Sequence, residues 1–125
     1  MDDKKLSILV VDDEHDICFL LKKFLDKNFI ASVDVSYSVK SAKELLDEKK
    51  FDVVFFDYNL QDGTGIDLIN HTKLTPETKP YTVVMSAFSS SSDIKNLEEI
   101  GINYFISKPL SQQKIVESLL NFKRH

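Results

Sequence analysis

Residues 53–65 read VVFFDYNLQDGTG, and the fold turns on how this stretch is read. Val53–Phe56 is apolar at every position, where a strand half-exposed to water would alternate. It is therefore expected to be a strand covered on both faces, as in a parallel sheet. The run ends at Asp57. Asn59 and Asp62-Gly63-Thr64-Gly65 make a turn-rich stretch, and a helix is expected from near Ile66.

The same alternation extends in both directions. Leu6–Val11 (LSILVV) is a buried strand ending at a charged cluster. Ile17, Leu20, Leu21, Phe24 and Leu25 then recur at helical spacing opposite Asp16, Lys22, Lys23, Asp26 and Lys27, which predicts an amphipathic helix. Ser32–Ser36 reads as a weak second strand, and Val39, Ala42, Leu45 and Leu46 mark a helix to about Lys50. Beyond the central stretch, Thr72–Pro80 reads as a loop and Tyr81–Met85 as a fourth strand. Ile94, Leu97 and Ile100 mark a short fourth helix, opened by Ser89-Ser90-Ser91-Ser92 and stopped by Gly101 as a left-handed cap. Asn103–Ile106 reads as a fifth strand, and Ile115, Val116, Leu119 and Leu120 as a last helix. Five strands alternating with five helices predict the α/β class: a doubly wound parallel sheet covered on both faces.

Composition agrees. The chain has 125 residues, 42% hydrophobic and 29% charged, as expected of one globular domain over residues 1–125. A net charge of −4 with interspersed signs argues against nucleic acid or an anionic membrane as the main partner. Cys18 is the single cysteine, so no internal disulfide forms. No apolar run exceeds five residues, with Ile8–Val11 and Val53–Phe56 at four, and Met1-Asp2-Asp3-Lys4-Lys5 is unlike a signal peptide. A cytoplasmic location is expected.

In doubly wound sheets ligands bind beyond the carboxyl ends of the strands. Asp12, Asp13 and Glu14 follow the first strand, Asp57 the third, Ser86-Ala87 the fourth and Lys108-Pro109 the fifth. A parallel sheet sets all of these on one edge. Clustered carboxylates repel, and either Lys108 or a hard divalent ion such as magnesium can compensate. Singly, each residue has a plainer reading. Asp12 and Asp13 suit a helix start, Asp57 a turn, Ser86 a loop hydroxyl, Lys108 a solvated charge and Phe105 the core. Their joint placement by four strands on one rim is hard to ascribe to capping.

Four pieces of the sequence resemble the receiver domains of two-component response regulators: VVDDE (Val10–Glu14), FFDYNLQDGTG (Phe55–Gly65), MSA (Met85–Ala87) and YFISKP (Tyr104–Pro109). They occur in the family's order and with its separations over nearly the whole chain. The resemblance implies the flavodoxin-like strand order 2-1-3-4-5, which periodicity cannot give. It implies Asp57 as phosphoacceptor, and Asp12 and Asp13 as the acids holding Mg²⁺ with Asp57 and the Asn59 carbonyl. Ser86 would bond a phosphoryl oxygen, Lys108 would pair with phosphate, and Phe105 would be the aromatic switch residue. Lys108-Pro109 would be a cis peptide. Asn59 and Phe88 would flank the path of the hydrolytic water, and a bulky Phe88 would exclude water and prolong the phosphorylated state.

The implied partners are a histidine kinase or histidine phosphotransfer protein as donor. The output would be a downstream protein or a self-dimer, through the face of the fourth helix, fifth strand and fifth helix. Three departures stand out: Gln61 replaces the usual proline, Phe105 lacks a tyrosine's hydroxyl, and Ser86 replaces threonine. Two alternatives remain open at this point. A pseudo-receiver would act as an interaction module without phosphorylation. An Asp-nucleophile phosphatase would use Asp57 in turnover, although the place of its second acid is taken by Asn59.

Overall fold

The structure, a computed structural model, describes residues 5–87 and 90–124. Phe88, Ser89 and the expectations placed on them lie outside the described residues. The strands are β1 Leu6–Val11, β2 Ala31–Ser36, β3 Val53–Asp57, β4 Tyr81–Ser86 and β5 Tyr104–Ser107. The helices are α1 His15–Asn28, α2 Val39–Glu48, α3 Gly65–Thr72, α4 Ser91–Ile100 and α5 Gln112–Arg124. All five strands are parallel, in the order β2-β1-β3-β4-β5. The order reverses between β1 and β3, where ligand crevices form in such sheets.

Strand alternation divides the core. Ile8, Val10, Val53, Phe55, Val83 and Met85 point to one face, packed under α1 and α5 with Leu21, Leu25 and Leu119. Leu9, Val11, Val54, Phe56 and Val84 point to the other, against Ala42, Leu68, Ile69 and Leu97 of α2, α3 and α4. Phe55 and Phe56 are both fully buried, on opposite faces. Burying each is worth about 2 kcal/mol or more. This double coverage explains why VVFF shows no alternation.

Several boundaries differ from the sequence reading. β3 includes Asp57 and β4 includes Ser86, so these side chains sit on ordered ladder rather than in loops. β5 starts one residue late because Asn103 Oδ1 accepts the amide (2.9 Å) and hydroxyl (3.2 Å) of Thr82, placing a side chain where a ladder bond would lie. α2 ends at Glu48 rather than about Lys50. Ser7 Oγ donates to the Lys50 carbonyl at 3.1 Å and Asp52 N–H to Ser7 at 2.7 Å, drawing the chain into β3. The loop 72–80 holds a 3₁₀ turn, Pro76–Thr78, with proline at its first position. α3 starts at Gly65, behind Thr64, whose N–H donates to Asp67 Oδ2 at 3.1 Å. Gly101 does close α4, with φ +128° and its N–H on Leu97 and Glu98.

Candidate phosphoacceptor site

β1, β3 and the segment after β5 bring Asp12, Asp57 and Lys108 together at the carboxyl edge of the sheet. Lys108 Nζ donates to Asp57 Oδ2 at 2.9 Å and to Asp12 Oδ2 at 3.2 Å, and pairs with Glu14 Oε1 at 3.6 Å. Asp12 has no exposed side-chain surface, Asp57 is 13% exposed and Lys108 16%. The Lys108 N–H donates to the Ser86 carbonyl at 2.8 Å, which fixes the backbone that carries the lysine; the Lys108-Pro109 peptide is cis. Lys114 Nζ holds the flanking carbonyls of Ser107 and Pro109 at 2.9 and 3.0 Å.

Asp12 also serves the helix start expected of it, since its Oδ1 accepts Glu14 N–H at 2.9 Å. Burial pushes its carboxyl above the ordinary range; the Glu14 amide opposes this, the Asp57 charge adds to it, and Lys108 opposes it. Burial alone would lower the Lys108 ammonium. The hydrogen bond to Asp57 and the Asp12 charge more than offset that, and the net shift is upward. The two shifts describe one arrangement: the lysine stays charged because it sits between acids. Below them Cys18 donates its thiol to the Asp12 carbonyl at 3.2 Å, and burial pushes that thiol up to about 12.

Asp12, Asp13 and Asp57 offer carboxylate oxygens that all lie within 4.8 Å of one another. A set of hard oxygen donors with few protein ligands fits a magnesium ion that keeps part of its water. Asn59, exposed, donates its N–H to Asp57 Oδ1 at 3.3 Å. Ser86, buried, ends β4, and Phe105 on β5 is half-buried against the second core face. The acids, Ser86 and Lys108 thus fall on one edge, whereas Phe105 lies further back on β5, paired with Val84.

Several contacts around the site were not foreseen from the sequence. Glu14 reaches Lys108 from the start of α1. The rings of His15 and Tyr37 stack at the rim, 3.8 Å apart and 15° from parallel. Asp62 bonds the first amides of α2. These contacts join residues 22 or more apart in sequence except for those within the first helix start, and no local pattern announces them. Among the described residues no helix is long and apolar enough to cross a membrane.

The chain is similar to known proteins along most of its length. The chain is 30% identical over 120 residues to the autoinducer 2 sensor kinase/phosphatase LuxQ of Vibrio vulnificus (strain YJ016), covering 96% of this chain and 14% of that protein. It is 30% identical over 118 residues to the sensory transduction protein LytR of Staphylococcus saprophyticus, covering 91% and 44%. The chain therefore spans less than half the length of either relative. The solved structure of a two-component response regulator from Clostridium difficile superposes with a TM-score of 0.86 at 26% identity, over 97% of this chain and 98% of that one. The response regulator receiver domain family model matches residues 8–120, and this chain therefore belongs to the response regulator receiver domain family of two-component systems.

Proposed function

We propose that residues 1–125 act as one receiver domain that accepts a phosphoryl group on Asp57 and relays its presence to the face of α4, β5 and α5. The observation that carries this reading is the Lys108 ammonium bridging Asp12 and Asp57 at the edge where three strands end. A half-buried lysine between two acids is a preorganised cationic partner for an anion arriving at Asp57.

The Asp57 carboxylate attacks phosphorus in line. An Asp57 O–P bond forms as the P–N bond of a phosphohistidine, or the P–O bond of a small acyl phosphate, breaks. The imidazole or carboxylate leaves with the bonding electrons. Asp12, Asp13, Asp57 and the Asn59 carbonyl would hold a magnesium ion, which when bound would supply positive charge to the phosphoryl group. Lys108 pairs with one phosphoryl oxygen and the Ser86 hydroxyl donates to another. Water later hydrolyses the acyl phosphate, so the domain resets its own state and acts as a phosphoacceptor rather than a turnover catalyst.

The donor is a histidine kinase or a histidine phosphotransfer protein. Phe19 and Leu20, 64% and 63% exposed on α1, lie on the helix that starts at the acid edge and support a protein donor. The output is taken up by a downstream protein or a second copy of the chain, through Ser86 and Phe105, which link the site to α4 and β5. Nucleic acid and membrane are not direct partners, and the domain works in the cytoplasm.

Acetyl phosphate with and without Mg²⁺, followed by intact mass, tests the reaction. Wild type is expected to gain one phosphoryl group only with Mg²⁺, and Asp57→Asn none. A gain by Asp57→Asn at the wild-type rate would overturn the assignment.

A further inference from the structure

The loop after Asp57 is not held in the way its own geometry requires. Asn59 pairs with Thr64 and Leu60 with Gly63, leaving Gln61 and Asp62 as a two-residue turn. No described non-glycine residue has positive φ. The turn is therefore neither of the primed types that match strand twist, and an unprimed turn splays its strands. The ladder accordingly stops after two pairs. What holds the loop is a contact outside it. Asp62 Oδ1 accepts Val39 N–H at 2.8 Å and Oδ2 accepts Lys40 N–H at 3.0 Å, the first two amides of α2. The third is taken by Ser38, whose hydroxyl accepts Ser41 N–H at 3.1 Å. The two amides keep the Asp62 carboxyl below the ordinary carboxylate range, so it is ionised and accepting at neutral pH.

These bonds close a ring around the site. Asp12 N–H donates to the Ser36 carbonyl at 3.1 Å, and Ser36 Oγ to the Ser38 carbonyl at 3.1 Å. Val39 and Lys40 donate to Asp62. On the same turn Asn59 N–H donates to Asp57 Oδ1, and Lys108 joins Asp57 Oδ2 back to Asp12 Oδ2. The start of α2 thus ties the loop of one acid to the strand of the other. In this path the Asp62 side chain carries the hydrogen bonds that link the 57–65 loop to α2.

We infer that Asp62 is a positioning residue: it docks the 57–65 loop on the start of α2 and so sets Asp57 and Asn59 relative to Asp12 and Asp13. The inference rests on the phosphoacceptor reading above. Asp62 touches neither metal nor phosphoryl group, and acts through the placement of the groups that do.

The test compares wild type with Asp62→Ala, Asp62→Asn and Ile69→Val, a core truncation outside the ring. Each is titrated with MgCl₂ alone by calorimetry and its rate of phosphorylation by acetyl phosphate is measured. Asp62→Ala is expected to weaken Mg²⁺ binding roughly 10-fold, as loss of an outer-shell support does, and to slow phosphorylation to match. Asp62→Asn, which keeps one acceptor oxygen, should fall between. Ile69→Val, destabilised but with its ring intact, should keep wild-type Mg²⁺ affinity. If Asp62→Ala and Asp62→Asn bind Mg²⁺ as wild type does, the inference is overturned while the phosphoacceptor reading stands. If wild type itself gains no phosphoryl group, that reading falls and this inference with it. If Ile69→Val loses as much affinity as Asp62→Ala, the effect is one of stability and the inference is again overturned.

Discussion

Cys18 shows how a side chain at this site can be chemically silent. It is 1% exposed, its thiol is engaged by the Asp12 carbonyl, and burial lifts it to about 12 from an ordinary value of 9.0. Thiolate is the reactive form, so native Cys18 should resist iodoacetamide at pH 8 and react at the normal rate once urea unfolds the chain. The sign of the linked pH effect follows. The folded state keeps its proton up to about pH 12 while the unfolded thiol loses it near 9.0, so stability is fully present below 9 and declines between 9 and 12. A urea midpoint that holds constant from pH 8 to 10.5 in wild type, or falls equally in Cys18→Ala, would contradict this. Asp13 illustrates the opposite case, a group whose charge costs stability. Carboxylate oxygens within 4.8 Å of one another repel by about 3 kcal/mol or more at an effective dielectric of 20. Asp13→Asn should therefore raise metal-free stability, on the order of 1 kcal/mol after solvent screening, and lose most of the extra stability that Mg²⁺ confers on wild type. Urea unfolding with and without MgCl₂ measures both.

At the level of elements, the sequence disclosed the pieces better than their ends. VVFF, LSILVV and the strand at Tyr81 were legible because burial on both faces leaves mostly apolar runs with no polar alternation. The shifted start of β5 was not, because it depends on Asn103 meeting Thr82 across 21 residues. The ladder at Asn59–Leu60 and Gly63–Thr64 was hidden by length, since two residues carry no period. The acids and the lysine were legible as residues at strand ends, yet their mutual bonds were not, and the strand order came from family resemblance alone. Gly65 had been read only as a turn signal, but its place is set by packing. A Cβ there would lie 2.6 Å from the ring of buried Phe56, and its N–H donates to Tyr58 at 2.7 Å. Gly65→Ala should thus destabilise by roughly 1–3 kcal/mol, the usual cost of overpacking, although alanine is the better helix former. A thermal midpoint equal to or above wild type would show that the Phe56 ring yields freely.

Over the whole molecule, the acid edge and the α4–β5–α5 face are joined through β4 and β5, which pair Ser86 with Ser107. Phosphorylation can shift this face only by interacting differently with two arrangements already within a few kcal/mol. Amide shifts with and without beryllofluoride should therefore change from the Asp57 loop through Ile94 to Ile106. Changes confined to residues around Asp57 would remove the switch. The chain order of the site has a further consequence, for folding. Asp12, Asp13 and Asp57 lie in the first half of the chain, whereas Lys108 follows β5, the last strand in sequence and an edge of the sheet. Any intermediate built from β1, β2 and β3 gathers carboxylates before their covalently tethered cation is in place. A dissolved divalent ion can stand in for the lysine at that stage, and closing such non-local strand contacts is the slow part of folding a parallel sheet. Refolding from urea should accordingly speed up with MgCl₂ in wild type, speed up less in Asp13→Asn, and respond to Mg²⁺ more strongly than to the same ionic strength of NaCl. The lysine that completes the native site would then be the late replacement for an ion that helped to assemble it.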